Sequence, residues 1–310
     1  MKSGFFEGVK KGWRSFIWIC KVIIPVSFLV TLLQWTGWLN QLDAILNPLM
    51  NLINLPPEAA LPIISGMLID IYGGIAAMTA LPFTLEQRTL IAVFSLICHN
   101  LIAEGIIQHK SGINVIKVTL IRIMAAILTV LIVSRFLGDT SQSVAAAAAL
   151  TAHSPLLEVL KGWAVNLIGL LFKILGIVMT VMIMLEFSES LKWGEYSLKF
   201  FRPLMKILRL SDRTATLWVT SVTFGLMYGG AVIIDEAKKG ILTREELERL
   251  HISIGINHSM VEDPALFLAL GVNFFWLWIP KLVMAIIAVQ AYRTIIYLKN
   301  KLLHQRGGRY

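Results

Sequence analysis

The chain has 310 residues, 56% hydrophobic and only 15% charged, with a mean hydropathy of +0.73. Several apolar runs reach the roughly 20 residues that a helix needs to cross a bilayer, which gives an all-α polytopic membrane protein. The net charge of +9 lies in the segments between those runs. It reports orientation in the membrane and excludes a nucleic-acid footprint.

Met1–Phe16 carries Lys2, Lys10, Lys11 and Arg14 and leads into an apolar run longer than a signal-peptide core. It reads as a retained first span, about Phe16–Leu39, with a basic cytoplasmic lead. Cys20 and Cys98 lie in apolar runs, too far apart for a familiar metal-ligand or redox motif. Gln41–Leu55 is amphipathic with Pro48 inside it and suits a helix lying in the interface. Ala59–Leu81 is apolar but interrupted by Gly66, Asp70 and Tyr72-Gly73-Gly74. Thr89–Gln108 is apolar and carries His99, Asn100 and Glu104, whereas Ile113–Leu137 is a clean span apart from Arg122. Gly138–Glu158 is an alanine-rich connection and a boundary between halves.

The second half repeats the first. Val9-Lys-Lys-Gly-Trp13 recurs as Val159-Leu-Lys-Gly-Trp163, Asn47-Pro-Leu-Met50 as Arg202-Pro-Leu-Met205, and Tyr72-Gly73-Gly74 as Tyr228-Gly229-Gly230. Thr84, Glu86, His99, Gly112 and Asn114 then match Thr243, Glu245, His258, Gly271 and Asn273 at a constant offset. In the same register Glu104 matches Asp263, and Arg122 matches Lys281. The common order implies an internal duplication, with residues 1–140 as the first repeat, 141–158 as the connection and 159–310 as the second repeat.

Charge decides the relative orientation. If every apolar segment crossed, Phe187–Arg213, with Lys192, Lys199, Arg202, Lys206, Arg209 and Arg213, would face outside. That breaks the positive-inside rule. If Ala59–Leu81 and Thr214–Ala237 are instead re-entrant hairpins turning near Tyr72-Gly73-Gly74 and Tyr228-Gly229-Gly230, each half crosses three times and the second half is inverted. Both termini and Phe187–Arg213 are then cytoplasmic, and Gln41–Glu58 is external. Asp70 lies near the first hairpin tip, where Leu226 aligns in the second half; an ion site and a wet tip are equally open readings.

The stretch with most chemistry is Leu250–Asn273, long and apolar enough to span, yet holding Asn257, His258, Ser259, Glu262, Asp263 and Pro264. An ionisable group at membrane depth costs roughly 2.5–3.5 kcal/mol on insertion scales. Pro264 removes a backbone donor and disfavours helix at Asp263, which predicts a break where these polar groups cluster. With His99, Asn100 and Glu104 opposite, these residues form a candidate binding site; the plain alternative is a structural polar knot between helices. Two His and three carboxylates suit a divalent metal, a polar organic solute or a coupling proton. Arg122 and Lys281 read first as ion-pair partners of Glu104 or Asp263, and second as contacts to an anionic solute. Trp276 and Trp278 fit an interfacial aromatic belt. No phosphate loop, zinc-protease or serine-hydrolase motif occurs, so the chain does not read as an enzyme.

The segments GLMYGGAVIIDEAKKGILT (Gly225–Thr243) and INHSMVEDPALFLALG (Ile256–Gly271), with first-half copies IYGG and CHNLIAEG, resemble the Gate, or nucleoside-recognition, domain family. That family includes spore maturation proteins A and B, and related gate segments occur in concentrative nucleoside transporters and the ferrous iron transporter's membrane part. The resemblance implies a transport-type core with two hairpins and two broken helices. The leading expectation is an inner-membrane secondary transporter or permease for a small polar, nucleoside-like solute, bound mainly at Asn257 and His258. Its only expected auxiliary is a coupling proton or cation, taken by an acid of the Glu262/Asp263 pair. The alternatives are a divalent-metal transporter, and a membrane scaffold that forms homo-oligomers or pairs with another gate-domain protein and has no cavity reaching its polar cluster.

Overall fold

The computed structural model describes residues 2–142, 154–190 and 193–307. The alanine-rich part of the connection (143–153), Lys192 and Arg309 lie outside them, as does the side chain of Tyr228. Among the described residues the chain is wholly helical, with fourteen α-helices and one 3₁₀ turn, Pro57–Ala59. Five stretches are long and apolar enough to cross a membrane: Gly4–Trp35, Leu85–Lys110, Val115–Ser134, Leu156–Phe187 and Phe274–Leu302. The stretch matching Leu85–Lys110 is Arg244–Ala269, whose first turns carry Arg244, Glu245, Glu246, Glu248 and Arg249.

The first half runs α1 (Lys2–Trp35), α2 (Trp38–Asn51), the 3₁₀ turn, α3 (Ala60–Leu68), α4 (Ile71–Ala80), α5 (Leu85–Cys98), α6 (Leu101–Lys110) and α7 (Val115–Ser134). The second half runs α8 (Leu156–Ser190), α9 (Trp193–Leu208), α10 (Asp212–Phe224), α11 (Leu226–Lys238), α12 (Arg244–Asn257), α13 (Glu262–Ala269) and α14 (Phe274–Gly307). Helix α1 extends well before the expected start at Phe16, because its basic lead continues the helix. At about 1.5 Å per residue its 34 residues reach roughly 50 Å, more than the hydrocarbon core requires.

Local chemistry sets the boundaries. Thr84 and Gln87 form a reciprocal capping box at the start of α5, and Thr243 and Glu246 form the matching one at α12. Asn54 and Arg209 both adopt positive φ where α2 and α9 have ended, and Gly112 and Gly271 do so after α6 and α13. Asp70 caps α4, its carboxylate accepting from the Gly73 N–H at 2.8 Å. Helices α3 and α4 lie back to back: a Cβ on Gly74 would sit 3.0 Å from the Pro62 carbonyl, twelve residues earlier in the chain. A continuous helix would separate those residues by about 18 Å. In α10–α11, Gly229 is pressed just as closely on Ser221.

Helices α1 and α8 pack antiparallel. Lys11 bonds Glu186 at one end (2.5 Å), the Trp163 indole donates to Ser27 Oγ further along (3.2 Å), and the Trp35 indole meets the Ser154 carbonyl at the other (3.1 Å). Near the Lys11 end the backbones almost touch, since a Cβ on Gly8 would lie 2.8 Å from Ile183 Cα. Gly8→Val should therefore force the pair apart and destabilise the protein by about 1–3 kcal/mol, read as a lowered thermal midpoint in detergent. Gly169→Ala, where no atom lies within 4 Å, should leave the midpoint unchanged or raise it.

Candidate functional site

Helices α5 and α12 both stop in the protein interior. At each break a histidine with extended backbone is followed by a residue at positive φ: His99 then Asn100 (φ 53°), and His258 then Ser259 (φ 45°). The break expected among the clustered polar residues spans His258–Val261, and Pro264 falls in the first turn of α13. The first turn's N–H groups have no intrahelical acceptor, so proline costs little there. The breaks are docked onto the neighbouring helix pairs. Asn100 N–H donates to the Gly66 carbonyl on α3 (2.9 Å), and Met260 N–H donates to the Val222 carbonyl on α10 (3.0 Å). Trp278 belongs to this support rather than to an exposed belt, because its indole donates to the Met260 carbonyl at 2.8 Å.

The two imidazoles meet at the centre. Their Nε2 atoms are 3.1 Å apart and their ring centroids 4.7 Å. Each is paired with the acid of the opposite half: His99 Nε2 lies 3.3 Å from Asp263 Oδ2, and His258 Nε2 lies 3.3 Å from Glu104 Oε1. The result is a chain of contacts, Glu104–His258–His99–Asp263, in which every member is at least 94% buried. Both Nδ1 atoms face backbone carbonyls, Ser95 at 2.8 Å and Ile254 at 3.0 Å. A carbonyl only accepts, so both Nδ1 atoms carry hydrogen; each Nε2 faces the other ring and a carboxylate, as an acceptor when the ring is neutral and as a donor to the carboxylate when it is protonated.

Arg122 holds the first break together. Its guanidinium grips Glu104 with two nitrogens and also donates to the carbonyls of Ile97 (3.1 Å) and His99 (3.0 Å). Those carbonyls are stranded by the end of α5, so one side chain satisfies the broken backbone and the buried acid together. Its stem runs across Gly255 of α12, where a Cβ would lie 2.9 Å from Arg122 Cδ. The matched Lys281 is also buried, but its Nζ has no hydrogen-bond partner. Of the ion pairs expected from sequence, Arg122–Glu104 forms and no Lys281–Asp263 hydrogen bond does.

The remaining candidates divide. Glu262 turns away from the histidines and accepts from the Tyr72 hydroxyl at 2.6 Å, tying α13 to α4. Asn257 is fully buried, its Nδ2 directed at Met260 Sδ and its Oδ1 unpartnered. Of the solute site expected at Asn257 and His258, the His258 ring stands against His99, with Nε2 atoms 3.1 Å apart. Gly73, Gly74, Gly229 and Gly230 serve close helix contacts, Gly230 against Ile107. Sequence reading passed over the cluster Lys117–Glu248–Tyr292, which joins α7, α12 and α14 with Lys117 Nζ 2.8 Å from Glu248. It also passed over a cavity of about 500 Å³ between α1 and α8. Arg122→Leu should cost about 3–5 kcal/mol in a thermal or denaturant titration, because Glu104 is left buried and uncompensated. Combining it with Glu104→Gln should recover a large part of that loss.

Comparison with known proteins follows the same lines. A family model described as Gate, nucleoside recognition, matches residues 16–133. An uncharacterized membrane protein of Bacillus subtilis (strain 168), YvoD, is 30% identical over 295 residues, covering 94% of this chain and 94% of its own. No solved structure matches. With a family match over residues 16–133 and a relative matched over 94% of both chains, this all-helical chain belongs to the Gate, or nucleoside-recognition, family of membrane proteins.

Proposed function

We propose that the chain is a cation-dependent secondary transporter or permease of the inner membrane for a small polar solute. In this reading residues 1–140 and 159–310 are inverted repeats, α3–α4 and α10–α11 are re-entrant hairpins, and both termini are cytoplasmic. The antiparallel α1 and α8, the matched caps and the matched positive-φ positions support that arrangement. Inverted repeats with broken helices meeting in the interior are the build of secondary transporters. The family and the helical fold are transporter-like rather than enzymatic.

One observation carries the cation part. Two imidazoles and two carboxylates, one of each from each half, stand 3.1–3.3 Å apart in succession. Arg122 pairs Glu104, and a proton or metal ion among the remaining nitrogen and oxygen atoms would offset the cost of burying them together. Because each half supplies one histidine and one acid, cation occupancy would fasten the halves together and its loss would release them. That is the coupling a transporter of this build requires.

A second reading, in which a divalent metal is the cargo, is favoured by the donor set. His99, Glu104 and His258 each offer one ligand atom, and these atoms lie within 4.8 Å of one another. Imidazole with carboxylate suits the borderline transition metals. Purified protein in a thermal-shift series with zinc, manganese and uridine at several pH values separates the readings. Cation-dependent stabilisation should vanish in His99→Ala and His258→Ala, while Glu262→Gln, outside the chain of four, should retain it. Equal stabilisation of wild type and both histidine variants would refute the cation centre. Stabilisation by metals alone, with no solute effect on transport into vesicles, would move the assignment to metal cargo.

A further inference from the structure

The matched Gly-Trp segments sit in different surroundings. Gly12 packs against α8, where a Cβ would fall 2.7 Å from Met179 Sδ. Gly162, its counterpart, has nothing within 4 Å and lines the cavity of about 500 Å³. The α1–α8 pair is thus in close backbone contact at the Gly8–Gly12 end, whereas beyond it the helices are bridged by side chains, Trp163 to Ser27 and Trp35 to Ser154, around the cavity.

The cavity has a distinct chemistry. Ser27, Thr31 and Gln34 lie along one face of α1, at spacings of four and three, within an otherwise apolar helix. Trp163 and Asn166 project from α8, and Arg88 closes the space from α5. Small-molecule sites combine such an aromatic wall with a few converging polar groups, and the volume lies within their usual range. Among the described residues Arg88 has no carboxylate within ion-pair distance, and its buried Nε has no hydrogen-bond partner. Glu158 also faces the cavity but lies in the first turn of α8, where the helix dipole already favours a negative charge. The guanidinium is the charge left without a partner.

We propose that this cavity binds a small organic anion, its carboxylate or phosphoryl group on Arg88 and its body against Trp163, in the conformation that is closed at Gly12. The anion's role as cargo rests on the permease reading. Its binding is measured by thiol chemistry without a transport assay, so the two fail separately.

The test uses full-length protein carrying Cys20→Ala; Cys98 is wholly buried and can remain. Asn166→Cys is modified with an anionic sulfonatoethyl and a cationic trimethylammonioethyl methanethiosulfonate. Each rate is divided by that of a small free thiol. The anionic reagent should be favoured by about fivefold or more, as one nearby unscreened charge implies. Arg88→Gln should abolish the preference, and Gly162→Leu should block both reagents. Met179→Cys, at the closed end, should be protected from both. The proposal is overturned if the cationic reagent reacts as fast as the anionic one, if Arg88→Gln leaves the preference intact, or if Met179→Cys reacts as readily as Asn166→Cys. A Gly162→Leu protein whose thermal midpoint matches its parent yet reacts at the parent rate would also overturn it.

Discussion

Interrupting a helix inside an apolar medium strands backbone carbonyls that cannot turn to water, and the structure depends on how those groups are satisfied. At the first break the answer is Arg122. Its fork donates to the Ile97 and His99 carbonyls while neutralising Glu104, so the break, the acid and the closing helix α7 are one unit. A lysine could not serve there, because a point charge lacks the planar set of donors that reaches two carbonyls and a carboxylate at once. The histidines satisfy one more carbonyl each through Nδ1, which turns both Nε2 atoms toward the interior. The geometry of the centre thus follows from backbone accounting: rings turned to serve Ser95 and Ile254 bring their Nε2 atoms to one another and to the carboxylates.

That constraint also explains why the halves interlock. Each acid pairs with the other half's histidine, and Tyr72 of the first half bonds Glu262 of the second. The family match agrees with a transport-related role. The two imidazoles are in contact at the centre, and a roomier polar space lies between α1 and α8. Helix α5 runs between the two, with Arg88 near its start and His99 just past its end.

Much of this could be read from the residues. The matched positions His99/His258, Glu104/Asp263 and Arg122/Lys281 identified the groups at the centre, because polar residues in apolar runs are rare enough to be conspicuous. Glycine pairs marked where helices must touch. What could not be read was direction. Nothing in the spacing says that Glu262 leaves the centre for Tyr72, or that Asn257 points at Met260, since both depend on where the neighbouring helix lies. Pro264 marked the break from its far side: it favours a helix start, and α13 begins two residues before it. The cavity was hidden because Ser27, Thr31 and Gln34 look like ordinary tolerated polar residues until they are seen to line it beside α8.

Lys281 stands where Arg122 stands, yet its ammonium touches no acceptor. The two helix breaks are therefore held unequally. The segment from His258 to Val261 keeps its place through Trp278 and a hydrogen bond to α10, whereas His99–Asn100 is pinned from three directions. Each added hydrogen bond is worth about 0.5–1.5 kcal/mol, so the first break resists displacement more than the second. The difference between them is the reach of one basic side chain.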